Sequence, residues 1–368
     1  MSSIETIPHN LDLDVTVDNI PIDSWSTFSI KAEVNKARTV RITLEGRDSV
    51  ELSRLGGVIE IRAGEGDDIK IPLYFKGIIK SLQPLTNSVI ITAFDYLTNL
   101  AGSQHVLFKD VTNKSTDFKI VGEDLYFVAA AVADYKGIDV SGLTQGSGIF
   151  AKKNMSSLFG HKTRKQFLDE SFTYMVKYST GANYPEFAYH RWYYAIRHGV
   201  QLDIFLPDHL HTDSKPLITL SEKKDTILDI SANINTSRLV NAVRVISSTD
   251  DTIFADHEDA FSVDAYGVHS RLIRRAETNK DKLKQLAVDY VNQNRFPTIT
   301  YNLNPIDAYW VDLGDLVRVH VPSLEIDDIM PVVGYTTTIN DNIETSLILG
   351  QPPLTDNQLL DLIIDPQG

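Results

Sequence analysis

One short phrase occurs twice, and it constrains this chain more than any other feature. Residues 55–63 read LGGVIEIRA and residues 313–321 read LGDLVRVHV. In each, a glycine can take positive φ at no steric cost, and the alternating apolar and polar residues that follow have the period of a half-buried β-strand. A strand-like nonamer recurs by chance in any β-rich chain, so its surroundings decide what the match means.

The surroundings repeat as well. IKAEVNKAR at 30–38 aligns with ISANINTSR at 230–238, pairing Ile30 with Ile230 and Arg38 with Arg238. Each copy continues into a further strand, TVRITL from Thr39 and NAVRVIS from Asn241. The phrases at Leu55-Gly56 and Leu313-Gly314 follow, then Asp67-Asp68-Ile69 and Asp327-Asp328-Ile329. FKGII around Gly77 and VVGYT around Gly334 come next, and SVIITAF and TSLILG close the two copies. The aspartate pairs are expected in hairpin loops, where their carboxylates bond to local backbone.

The offset is 200 residues at Ile30/Ile230 and 258 at Leu55/Leu313, so the second copy carries about 58 extra residues. An insertion that leaves and re-enters through a surface turn is tolerated by a β-unit. The expected fold is mainly β with α+β insertions, built on two duplicated small β-barrels, the second interrupted by an α-containing insertion. The boundaries that follow are 1–102 for the first barrel and 103–216 for a mixed α/β domain. The second barrel takes 217–250 and 298–350, the insertion 251–297, and 351–368 form a C-terminal docking segment. Equivalent burial is expected at Leu55, Val58 and Ile61 and at Leu313, Leu316 and Val319.

Two helices stand out. Thr163 and Gln166 have capping-box spacing ahead of a helix over about 164–178, and Thr278 with Asp281 resembles a cap for one over 279–293. In the latter, Leu283, Leu286, Ala287, Tyr290 and Val291 recur at helical spacing until Pro297. EFAYHRWYYAIRHG and VQLDIFLP read as an aromatic hairpin turning near His198-Gly199.

Chemistry is sparse. No nucleophile elbow, HExxH, phosphate-binding loop or dinucleotide fingerprint occurs, and the glycines at 142, 146 and 148 open no βαβ helix. No catalytic, cofactor-binding or metal-binding residue is assigned. His209 and His211 alternate beside two aspartates, which suits a solvated turn better than a metal. Tyr189, His190, Arg191, Trp192, Tyr193, Tyr194 and Arg197 could stack on sugars or bases, although alternating aromatics more often pack a sheet.

With 368 residues, 42% of them hydrophobic, the chain is long enough for several domains and outside the disordered class. It lacks cysteine, a membrane-length apolar run and the basic and apolar regions of a signal peptide. A formal charge of −14 opposes a surface that grips nucleic acid but permits DNA to slide past.

Taken together, the duplicated unit, the interrupted second copy and the α/β segment between them resemble the baseplate or tail hub family of tailed bacteriophages. The phrases that carry the resemblance are FKGIIKSL with ITAFDYLTNL, VNAVRVIS, and WVDLGDLVRVHVP with VVGYTTTINDNIETSLILG, and it spans about Leu11 to Leu349. It implies a structural protein without enzymatic activity: a homotrimeric ring that joins a sixfold tail tube to a threefold central spike or fibre and forms part of the DNA channel. Implied partners are the tube, distal tail or baseplate proteins and the spike. DNA would pass without specific binding, and the chain would be assembled in the host cytoplasm and reside in the virion. A carbohydrate-binding tail adhesin, or the hub part of a tail peptidase or secretion-system spike, are the alternative readings. The dense apolar residues Leu359, Leu360, Leu362, Ile363 and Ile364 are expected to dock on the same ring or on a spike protein.

Overall fold

The computed structural model describes residues 11–65, 73–101, 133–134, 136–141, 163–166, 168–169, 193–197, 199–205, 218–224, 226–237, 239–306, 308–340 and 342–350. The chain is mainly β, as its alternating runs predict. In its first part, β1 (Leu11–Val17), β2 (Ile20–Ile22), β3 (Trp25–Glu33), β4 (Thr39–Glu45), β5 (Val58–Glu65), β6 (Leu73–Pro84) and β7 (Ser88–Asp95) form the order β3-β4-β7-β6-β5-β1-β2. Period-two alternation makes this sheet one-sided. Val40, Ile42 and Leu44 of β4 and Val89, Ile91 and Ala93 of β7 are almost wholly buried, while the residues between them reach the surface.

The second part is built alike. β11 (Ile227–Asn235), β15 (Thr298–Pro305), β18 (Ile343–Gly350), β17 (Ile326–Ile339) and β16 (Leu316–Val321) follow one another across the sheet. β16 also pairs in parallel with β10 (Ile218–Ser221). β17 is long enough to serve two neighbours along one flank: residues 326–331 pair with β16, and residues 334–339 pair with β3. That β3–β17 ladder joins both parts into one sheet, of 13 strands among the described residues, over one continuous hydrophobic core.

The repeated phrases occupy the same turn. Gly56 and Gly314 both have φ of 82°, and both are followed by a strand. The Gly56 N–H donates to the Ile79 carbonyl at 2.9 Å and the Ile79 N–H to the Gly57 carbonyl at 2.9 Å. The Gly314 N–H donates to the Val332 carbonyl at 2.8 Å, and the Val332 N–H to the Asp315 carbonyl at 2.9 Å. One residue beyond, β6 shifts register between Ile79 and Ser81, and β17 does so between Val332 and Gly334. Ile59 and Ile61, like Val317 and Val319, point into the core, and Val58 and Leu316 are both half-buried.

Several sequence expectations change. Leu55 is 66% exposed whereas Leu313 is fully buried, so the leucines that open the two phrases do not share an environment. Gly77 is not the counterpart of Gly334, since the bulges align Ser81 with Gly334. Nor do Ile30 and Ile230 correspond. Ile30 faces Val40, which faces Ala93, whereas Ile230 faces Leu303, which faces Leu347. Counted from the shared bulge, Ile230 matches Phe28, and Ala232 matches Ile30. A slip of two residues keeps every side chain on its face, so the apolar pattern could not expose the error.

NAVRVIS is also not the counterpart of TVRITL. It forms β12 (Ala242–Ser247), in a separate sheet between β13 (Phe254–Glu258) and β14 (Ser270–Arg275). β15 takes the place of β4, so the insertion begins directly after β11, near residue 236, rather than at 251. In the first part the same connection is a tight turn with Asn35 at φ of 61°.

The insertion has its own small core. α1 (Ala260–Tyr266) is capped by Asp259, whose carboxylate accepts from the Ser262 N–H. α2 (Lys280–Asn294) is capped by Asn279, not Thr278: its side chain accepts from the N–H groups of Asp281 and Lys282. Leu283, Ala287 and Val291, one side of α2, are buried against β12 and β13. Asp327 and Asp328 likewise lie on strand β17 rather than in a loop, and Asp327 takes both guanidinium arms of Arg318.

Candidate functional site: a buried charged junction

The most unusual polar arrangement lies where the two sheet parts meet a short hairpin from the middle of the chain. That hairpin is β8 (Tyr193–Arg197) paired antiparallel with β9 (Gln201–Phe205). Tyr193, Tyr194, Ala195, Ile196 and Leu202 are buried, so packing explains why this aromatic run forms a hairpin. The tight turn after β3 grips it: the Asn35 N–H donates to the Tyr194 carbonyl at 2.8 Å, and the Tyr194 N–H to Asn35 Oδ1 at 2.9 Å.

Arg38 follows that turn and is fully buried. Its backbone N–H donates to Asp95 Oδ2 at 2.9 Å, its Nε lies 3.5 Å from the same oxygen, and Nη2 donates to the Gly199 carbonyl at 3.4 Å. The guanidinium stands 5.9 Å from the Phe75 ring centre. Asp95 is itself fully buried at the end of β7, and its second oxygen accepts from the Leu97 N–H at 3.0 Å. Burial pushes the Asp95 carboxyl up to about 6 although Arg38 draws it down. Burial also opposes the Arg38 charge, but the neighbouring Tyr335, Asp312 and Asp95 outweigh it, so the guanidinium pKa is raised and the group stays charged.

Arg197, at the end of β8, carries the junction into the second part. Nη2 donates to Asp315 Oδ1 at 2.6 Å, Nη1 reaches Asp203 Oδ2 at 3.5 Å, and Nε lies 3.9 Å from Asp312 Oδ2. Asp312 and Asp315 flank the second Leu-Gly phrase. The Asp312 N–H donates to Asp315 Oδ2 at 2.8 Å, and the Leu313 N–H to Asp312 Oδ1 at 2.8 Å. Burial raises the Asp315 pKa; the Asp312 N–H and Arg197 counter it in part. This constellation positions three chain segments against one another. Its acids are held by guanidinium and backbone groups, which fixes their geometry.

Sequence reasoning singled out Arg38 and Arg197, the first as a mark of the repeat and the second for stacking on sugars or bases. Asp95, Asp312 and Asp315 were missed, and the one signal for Asp95 is a lone acid ending the alternation VIITAFD. Tyr194 is not presented to a ligand: it is buried, and its hydroxyl donates to Asp169 Oδ1 at 2.5 Å. Leu168 is buried nearby, and Thr163 and Gln166 make the reciprocal cap expected of them. Arg238, Tyr189 to Trp192, His209, His211, Asp67 to Ile69 and Leu359 to Ile364 lie outside the described residues. Among the described residues no three His, Cys, Asp or Glu side chains converge as metal ligands, and no helix is long and apolar enough to cross a membrane.

Residues 218–351 match the model of a family described as prophage endopeptidase tail. No curated protein sequence matches the chain. Among solved structures, it is similar to a tail protein from Neisseria meningitidis MC58, with a TM-score of 0.62 and 13% identity over 93% of this chain and 97% of that one. It is also similar to a prophage MuSo2 tail protein from Shewanella oneidensis, with a TM-score of 0.58 and 11% identity over 93% and 97% of the two chains. A prophage tail protein from Listeria monocytogenes EGD-e gives 0.53 and 14% identity over 96% and 98%. At such identities the likeness establishes fold. The chain therefore has the fold of phage tail proteins, and the resemblance read from its sequence holds.

Proposed function

We propose that this phage tail or baseplate-like protein is a structural hub at the tail tip, a homotrimeric ring between a sixfold tail tube and a threefold spike or fibre. One observation carries the reading: two sheet parts of matching strand order are already joined edge to edge within a single chain by the β3–β17 ladder. Three such chains offer six similar units to a tube while the insertion and the hairpin segment stay threefold. Closed cyclic symmetry satisfies strand edges without open polymerisation.

In this reading the units around 11–100 and around 217–235 plus 298–350 curl into tube-like barrels about a channel. A net charge of −14 suits a wall that DNA slides past without specific binding. The chain acts as a scaffold, not as an enzyme, and takes its place in the virion after assembly in the host cytoplasm. Leu359, Leu360, Leu362, Ile363 and Ile364 dock on the ring or the spike. Antibody labelling of tails should mark the tip alone. Label along the tube or on the head contradicts the proposal. Deleting residues 357–368 should leave the sheet folded but lower incorporation into tails, and normal incorporation removes the docking role.

A further inference from the structure

Equivalent strands of the two sheet parts differ sharply in exposure. Phe28, Ile30 and Ala32 of β3 are buried to within 1%. Their counterparts by ladder register on β11 are Ile230, Ala232 and Ile234. Ile230 is only half-buried, Ala232 is exposed, and Ile234 is 63% exposed. The cause is visible in the topology. β3 is flanked by β4 and β17, whereas β11 has β15 on one side and, among the described residues, no strand on the other. It is nine residues long and carries neither proline nor lysine, the usual guards of an exposed edge.

A second edge is open at the matching place. β17 covers β3 with residues 334–339, and the shared bulge makes Ser81 to Thr86 the counterpart of that segment. β5 pairs with β6 only as far as Ile78, so beyond the Gly57–Ile79 turn the outer side of β6 has no ladder partner among the described residues. The Leu85 N–H donates inward to the Ser88 carbonyl at 2.8 Å. By alternation Gln83 also faces β7, and the backbone groups of Leu82 and Pro84 face outward. Pro84 has no N–H, so this edge offers one donor fewer than β17 does.

Resting on the hub reading, we infer that β11 of one copy pairs antiparallel with residues 81–85 of β6 of the next, repeating between chains the β3–β17 ladder formed within each. The register carries over. Tyr335 faces Ala32 and Thr336 faces Lys31 within the chain, so Leu82 of one copy faces Ile234 of its neighbour and Gln83 faces Asn233. The contact is heterologous and uses one edge of each kind, so each copy has one edge to give and one to receive, and three copies whose rotations close form a ring. It covers Ala232 and Ile234 as β17 covers Ile30 and Ala32.

The chain has no cysteine, which makes the test direct. Gln83 and Asn233 are exposed, and a facing pair of this kind lies within disulfide reach. Oxidised Gln83→Cys/Asn233→Cys protein should run as linked species up to the size of the closed ring, with its mass measured on the same sample by sedimentation. Gln83→Cys/Asn235→Cys, two residues out of register, should link at least tenfold less. A ring-sized particle that the first pair fails to link overturns the β11–β6 contact and leaves the hub reading standing. A chain that stays monomeric overturns both. Ile234→Asp supplies the second measurement: its side chain is solvent-exposed in the single chain, so thermal unfolding of the monomer should be unchanged while the ring dissociates. An intact ring in that variant contradicts the inference.

Discussion

Arg197 Nη2 sits 2.6 Å from Asp315 Oδ1, which ties the end of a mid-chain hairpin to the residue after the glycine of the second repeated phrase. Both side chains are largely buried, at 18% and 15% exposure, so solvent screens the pair only weakly. A double-mutant cycle with Arg197→Gln and Asp315→Asn, followed by chemical unfolding, should return a coupling of about 1–3 kcal/mol. Additive losses would mean that the hairpin is held by apolar packing alone.

Arg38 and Asp95 make a more demanding pair because neither reaches water. Arg38→Met leaves the Asp95 carboxylate buried without its cation and should cost about 3–5 kcal/mol. Asp95→Asn should be milder, since an amide oxygen still accepts from the Arg38 or the Leu97 N–H. Equal losses in the two variants would argue against this asymmetry.

The same carboxyl gives a pH dependence of definite sign. Its pKa is raised to about 6 from an ordinary 3.8, so between those values the folded state binds more protons than the unfolded one. Its contribution to stability therefore grows as pH falls from about 7 through 6 toward 4. The unfolding free energy of the wild type minus that of Asp95→Asn should rise over that range. A difference that falls would contradict the assigned direction.

Much of the fold is legible because period-two alternation and helix caps are local signals. The Thr163–Gln166 box forms as spaced, and Leu283, Ala287 and Val291 pack as their spacing requires. Misreadings cluster where local signals are degenerate. β12 alternates as well as β4 does, and only its partners reveal that it belongs to the insertion. The slip that paired Ile30 with Ile230 preserves sidedness, so only ladder register exposes it. The junction was the least legible part. Asp95 meets Arg38 at a sequence separation of 57, and Asp315 meets Arg197 at one of 118, separations at which no spacing rule applies.

Gly56 and Gly314 test the equivalence of the two turns. Each holds φ of 82°, a left-handed conformation that a Cβ disfavours. An added Cβ at Gly56 meets no atom within 4 Å, so Gly56→Ala should cost only the backbone term, about 1–2 kcal/mol. Gly314→Ala should lose a similar amount in thermal unfolding, and a neutral effect at either site would show that its turn tolerates another backbone conformation.

In the proposed hub, one chain supplies two alternating units to a closed ring. Electron cryomicroscopy of the tail tip, reconstructed without imposed symmetry, measures this most directly. Three copies are expected around an open channel, with the unit from residues 11–95 and the unit from residues 218–350 alternating at six near-equivalent positions and β11 of each copy beside β6 of the next. A single copy at the tip, or units that fail to alternate about one axis, would contradict the hub arrangement.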